Sequence, residues 1–162
     1  MNDVQEKSEM SDKKRSEDGL NIKKIVVAVD LSSHSEKTAT YAANFAKRFD
    51  ASITLVHVCN VEPVRTLNAF ETPKEEKRHN IERKLGELVK KICETYPKCD
   101  LWFRNGHPGE QIALLAQDLD VDLIITASRH PGFLSRLFGW DQAPRIVHRA
   151  HCPVLIYQEG VE

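Results

Sequence analysis

Residues 123–157 read LIITASRHPGFLSRLFGWDQAPRIVHRAHCPVLIY. The stretch opens on an apolar run, residues 123–127, with the length of a buried strand. A connection containing Gly132 and Gly139 follows, then a helical pattern ending near Ala150, then a second apolar run over residues 153–157. Strand, loop, helix, strand is the unit of a parallel α/β sheet. In such sheets ligands lie beyond the carboxyl ends of the strands, where loops meet helix starts. The connection over residues 128–141 is therefore the first place to look for function.

Upstream, the same alternation repeats. Residues 23–30 carry Ile25, Val26, Val27, Ala28 and Val29 in succession, a near-continuous apolar run that fits a central strand buried on both faces. Asp30 stands at its carboxyl end. Ser33 and Glu36 match the S-x-x-E capping box, and Thr38, Tyr41, Ala42, Phe45, Ala46 and Phe49 recur at helical spacing. Residues 52–58 predict a second strand. Pro73 opens a long charged helix whose buried face is Ile81, Leu85, Leu88, Val89, Ile92 and Tyr96, with Pro97 as its stop signal. Residues 101–104 predict a short third strand, and a helix carrying Ile112, Leu115 and Ala116 leads to the fourth. The expected fold is α/β: a Rossmann-like open five-stranded parallel sheet with helices on both faces and right-handed crossovers.

Length and composition set bounds. The chain has 162 residues, enough for one domain with a substantial core. Residues 1–21 are polar, dense in both charge signs and without apolar period, and predict a disordered tail. Residues 22–158 form the expected domain, and 159–162 a short C-terminal tail. A formal net charge of -1 argues against a non-specific nucleic-acid or anionic-membrane binder. No apolar run approaches the roughly 20 residues of a membrane span, and the N-terminus lacks the apolar core of a secretory signal. The expected compartment is the cytoplasm. Cys59, Cys93, Cys99 and Cys152 are scattered without a C-x-x-C pair and read as small buried hydrophobes.

The chain also resembles a known family. KIVVAVDLSSHSEKTATYAANFAKRFDASITLVHV (residues 24–58), NGHPGEQIALLAQDLDVDLIITAS (residues 105–128), then LSRL (residues 134–137) and HCPVLIY (residues 151–157) resemble, in order, the segments of a UspA-like universal stress protein domain. The resemblance covers residues 22–157. It implies a strand order of 3-2-1-4-5, with a nucleotide crevice where the order reverses between strands one and four. On the base side it points to Ala28, Val29, Asp30 and Val56. On the phosphate side it points to Ala127, Ser128, Arg129, His130, Trp140 and Asp141. It also implies a homodimer paired through the last strand, by Pro153, Val154, Leu155, Ile156 and Tyr157, an edge that benefits from cover.

The departure from the family is as informative as the match. ATP-binding members carry G-x-x-G, nine residues, then G-S or G-T. Aligned through Ser135 and Arg136, those positions here are Ala127, His130, Trp140 and Asp141, while Gly132 and Gly139 are out of register. A phosphate cradle needs exposed backbone N–H groups and close backbone approach, which glycine permits. Trp140 puts an indole where phosphates would lie, and Asp141 puts a negative charge where a hydroxyl is expected. At roughly 4 Å from a phosphate, that charge costs several kcal/mol at an effective dielectric of about 20. Arg129 and His130 offer positive charge but not the missing space. No cofactor is therefore expected, with ATP or AMP the ligand if the crevice functions.

Other groupings are weaker. Asp30 either faces a nucleotide or closes the strand and helps cap the helix. Phe133, Leu134, Leu137 and Phe138, with Trp140, make the connection apolar, which fits packing over an empty crevice or a protein partner. Arg136 and Arg145 could ring that crevice. His148 and His151 lie three apart beside Cys152, but nothing nearby completes a metal set. Asp118, Asp120 and Asp122 lack the glycine and terminal glutamate of a calcium loop. Ser32, Ser33 and Ser35 read as turn and cap residues. No nucleophile elbow, P-loop or zinc-protease motif occurs. The expected function is a non-enzymatic regulatory or adaptor protein. The alternatives are an ATP- or AMP-binding protein with weak hydrolysis or phosphotransfer, and a sensor of small molecules or anions using Asp30, Ser128, Arg129 and His130.

Overall fold

The computed structural model describes residues 20–59, 73–127 and 142–158. Its elements are β1 (Lys24–Ala28), α1 (Ser33–Phe49), β2 (Ser52–Cys59), α2 (Pro73–Thr95), β3 (Cys99–Asn105), α3 (Pro108–Asp118), β4 (Leu123–Ala127), α4 (Gln142–Arg149) and β5 (Val154–Tyr157). The strands form one sheet in the order β3-β2-β1-β4-β5, and all four neighbouring pairs run parallel. The expected topology is the observed one.

Strand periodicity sorts the core into two layers. Ile25, Val27, Ile53, Leu55, Leu123 and Ile125 face α1 and α2, where they pack with Ala39, Ala42, Ala46, Leu85 and Ile92. Val26, Val56 and Ile124 face the other side and pack with Ile112, Leu115 and Ala116 of α3 and Ile146 of α4. The alanines on α1 are fully buried, so small side chains let that helix lie close to the sheet. On α2, Leu85, Ile92 and Tyr96 are buried and Ile81, Leu88 and Val89 partly so, the face that the spacing predicts.

Several boundaries differ from the sequence expectation, β2 by a single residue, since it runs on to Cys59. β1 ends at Ala28 rather than at Asp30, because Asp30 turns away to organise the loop that follows. β3 is longer than residues 101–104: it pairs with β2 from Ile53–Cys99 to Cys59–Asn105, and a long partner extends it. β5 starts at Val154, one residue after Pro153, which lacks an N–H but whose carbonyl accepts from Ile124 N at 3.0 Å. Helix α1 begins at Ser33, which makes Ser33 the first helical residue rather than the N-cap that the S-x-x-E spacing predicts. The N-cap is Ser32, without a side-chain cap bond, and Glu36 pairs with Lys91 of α2. The serine and carboxylate chemistry of this helix start is used by Asp30 and Ser35 instead.

The amino-terminal end of the sheet is tied across the chain. Asp122 Oδ2 accepts the backbone N–H groups of Lys23 at 2.8 Å and Lys24 at 3.0 Å. The Tyr96 hydroxyl donates to the Ala51 carbonyl, and Lys98 Nζ reaches Asp50 Oδ1 at 2.5 Å. The acidic run after α3 is thereby divided: Asp118 pairs with Arg104 at 3.0 Å, Asp120 is left-handed with φ 49°, and Asp122 holds the start of β1. Among the described residues no helix is long and apolar enough to cross a membrane.

Candidate functional site

The reversal of strand order falls between β1 and β4, whose registered pairs end at Val27–Ile125. Beyond that pair the chain leaves β1 through Ala28, Val29 and Asp30, and leaves β4 through Ala127. The topology therefore brings Asp30 and Ala127 to the same end of the sheet, as expected. Ser128, Arg129, His130, Trp140 and Asp141 lie outside the described residues, as do Arg136 and the apolar set Phe133, Leu134, Leu137 and Phe138.

Asp30 organises the loop from β1 to α1. Its Oδ1 accepts the Ser32 backbone N–H at 2.9 Å and the Ser35 hydroxyl at 2.8 Å, while its own backbone N–H donates to Ser35 Oγ at 3.0 Å. The side chain thus closes an Asx turn and a reciprocal pair with Ser35. Leu31 bridges the two in the left-handed region, φ 65°, where a side chain is disfavoured by roughly 1 kcal/mol or more. Leu31 also packs against the core beside α1, which helps hold that conformation. Asp30 itself is exposed, while its carboxylate serves the turn. Ser35 is only 4% exposed, and within the turn its hydroxyl both donates and accepts.

The base-side positions differ in character. Ala28 is half-buried, whereas Val29 and Val56 are buried. Val56 faces the α3–α4 layer, and its carbonyl accepts the Val29 N–H at 2.9 Å, which ties the end of β1 to β2. Ala127 ends β4, half-buried and in register with Tyr157 of β5.

His57 is a site residue that sequence reasoning missed. It is buried on β2, and its Nδ1 lies 2.9 Å from the Val29 carbonyl. A carbonyl only accepts, so Nδ1 carries the proton and donates. His57 therefore clamps the residue just before Asp30 to the neighbouring strand. The available signal was period two: His57 shares a strand face with Ile53 and Leu55, an inward position where a polar ring needs a partner. Two residues on, Cys59 ends β2. Burial pushes its thiol up, Arg78 pulls it back and Glu82 adds to the rise.

The remaining candidates do not converge on this end. Arg145, His148 and His151 are exposed on or just after α4, and Cys152 packs partly against the α3–α4 layer. Arg149 of α4 instead reaches Glu110 of α3 at 3.5 Å. Among the described residues no three His, Cys, Asp or Glu side chains gather to hold a metal ion. The last strand occupies an edge of the sheet, with Ile156 exposed and Tyr157 stacked on Tyr41 at 4.9 Å between ring centroids.

Comparison with known proteins fits this arrangement. A family profile described as the universal stress protein family matches residues 21–158. A universal stress protein of Methanocaldococcus jannaschii is 32% identical over 145 residues, covering 85% of this chain and 82% of that protein. A solved universal stress protein in complex with cAMP superposes with a TM-score of 0.63 at 18% identity, covering 84% of this chain and 96% of its own. A universal stress protein from Archaeoglobus fulgidus in complex with dAMP gives 0.62 at 19% identity, covering 84% and 98%. At those identities the two structures establish the shared fold.

Proposed function

The chain belongs to the universal stress protein family, and we propose that it is a non-enzymatic regulatory or adaptor member whose crevice does not hold ATP tightly. The observation that carries this reading is the replaced phosphate pattern: Trp140 and Asp141 stand where a glycine and a hydroxyl residue belong, and Ala127 and His130 replace the two earlier glycines. Bulk and negative charge at a cradle act in the same direction against a triphosphate. The described side supports the reading. Asp30 Oδ1 accepts from both Ser32 and Ser35, and Ser35 has both hydroxyl roles used inside the turn. In this account Phe133, Leu134, Leu137 and Phe138 pack over the vacated crevice or meet a protein partner. The protein acts in the cytoplasm as a homodimer paired through residues 153–157, since β5 is an edge strand on which Ile156 is exposed. A monomeric mass by light scattering at micromolar concentration overturns the dimer.

A second reading is favoured by one observation: two structures of the same fold are complexes with adenosine monophosphates, cAMP and dAMP. A single phosphate makes fewer demands on the cradle than three, and the Val29–Asp30 turn on the base side is intact. Calorimetric titration of the full chain with MgATP, AMP and cAMP separates the two. The first reading expects MgATP to bind more weakly than about 1 mM, less than roughly 4 kcal/mol of free energy. Micromolar MgATP overturns it. Micromolar AMP or cAMP with weak MgATP establishes the second. In either case the double substitution W140G/D141S is expected to tighten MgATP at least tenfold.

A further inference from the structure

We propose that Cys93 and Cys99 form a redox-active dithiol that closes to an intramolecular disulfide across the turn from α2 to β3. Cys93 lies in the last turn of α2 and Cys99 is the first residue of β3. Between them the chain reverses through Tyr96, Pro97 and Lys98, and this reversal brings the Cys93 thiol to 3.3 Å from the Cys99 carbonyl. The neighbourhood is also visible in titration: Cys99 is pushed up to about 12, by burial first and then by the Cys93 thiol. Both residues are half-buried, so a small oxidant reaches them. The turn is held from outside the pair. Tyr96 donates to Ala51, Lys98 pairs with Asp50, and the Lys98 carbonyl accepts Ile53 N at 2.9 Å. The turn that carries both cysteines is therefore a fixed frame, at the end of the sheet opposite Asp30.

The chemistry balances with a small-molecule disulfide such as oxidised glutathione as the electron acceptor. The Cys93 thiolate attacks one glutathione sulfur, forming a mixed disulfide and expelling one glutathione thiolate. The Cys99 thiolate then attacks the Cys93 sulfur, breaking the mixed disulfide, forming the Cys93–Cys99 bond and expelling the second glutathione thiolate. Two protons leave the cysteine thiols, two electrons reduce the oxidant, and two glutathione thiols result. Cys99 keeps its proton to high pH, so it acts second, as the resolving thiol. A thiol that ionises reluctantly is also a poor leaving group, so the closed bond resists reduction.

The test uses the full chain with all four cysteines, incubated with oxidised glutathione and mapped by non-reducing peptide mass spectrometry. The expected product is a monomeric chain with a Cys93–Cys99 linkage, formed equally well in C59S/C152S. Ring closure from the mixed disulfide should accelerate as pH rises, following the fraction of Cys99 present as thiolate. Closing a loop of roughly seven residues should raise Tm by about 5 °C, reversed by dithiothreitol. Glutathionylation that stops at Cys93 without closing at pH 9 overturns the proposal. So does linkage of either residue to Cys59, to Cys152 or to a second chain.

Discussion

The two ends of the sheet are built on different plans. At the amino-terminal end, contacts join segments far apart in the chain: Asp122 to the amides of Lys23 and Lys24, Tyr96 to Ala51, Lys98 to Asp50. At the carboxyl end, the bonds that shape the candidate site lie within one short loop, from Asp30 to Ser32 and Ser35. The longer-range bonds there, from the His57 side chain to the Val29 carbonyl and from Gly106 N to the Cys59 carbonyl, tie strand ends together without touching Ser32 or Ser35. The amino end thus resists piecemeal change, since each residue serves two segments. A loop at the carboxyl end can alter its chemistry without loosening its neighbour, which is how function comes to be grafted onto a shared fold.

If that contrast is real, the largest effect comes from Asp122. Its carboxylate serves two backbone amides that no strand partner satisfies, and charge-assisted bonds of this kind are worth about 1.5 kcal/mol each. Asp122→Ala is expected to lower stability by about 3 kcal/mol in urea denaturation. A loss below about 1 kcal/mol would show the amino end to be less coupled than its geometry indicates. Asp30→Ala should cost about 2 kcal/mol, because the buried Ser35 hydroxyl loses its acceptor. In a double-mutant cycle, Asp30 and Ser35 should couple strongly with each other and negligibly with Asp122. Coupling across the sheet would break the comparison. Tyr96→Phe removes one hydroxyl donor from the Ala51 carbonyl and should cost about 1 kcal/mol.

Much of the fold was legible in sequence because burial on both faces writes itself as unbroken apolar runs. Ile25 to Val29 and Leu123 to Ala127 declare central strands, and the family resemblance supplied their order. The ends of elements were less legible. A serine and a glutamate at capping-box spacing predicted one helix start, yet Asp30 had already claimed the local hydroxyl and amide, and Glu36 found Lys91 across the helix pair. β3 was read short because Trp102 and Phe103, both exposed at an edge, broke the alternation that marks a half-buried strand. At the candidate site, Asp30 was legible as a carboxylate at a strand end, but its commitment to the turn was not. That depends on Leu31 adopting a left-handed conformation that no leucine advertises. His57 was passed over because an isolated histidine carries no motif; only its inward register gives it meaning.

The smallest effect tests the same contrast at the surface. Asp50 and Lys98 are both well exposed, 76% and 51%, so their pairing adds little to stability and is screened by salt. It is nevertheless visible in titration. The hydrogen bond from Lys98 holds the Asp50 carboxyl below its ordinary 3.8, and the same bond raises Lys98 above 10.5. The signs follow from linkage. The Asp50 contribution is fully present above 3.8 and is lost as pH falls through the lower, folded value. The Lys98 contribution is present below 10.5 and is lost as pH rises through the higher one. Near pH 7 the pair is therefore intact, and Lys98→Met should barely move the urea midpoint there. By NMR the same substitution should return the Asp50 titration toward 3.8, and high salt should shift the wild-type curve part of the way. If Asp50 titrates unchanged without Lys98, the contact does not fasten the α1–β2 corner to the start of β3, and the amino end loses one of the ties that set it apart.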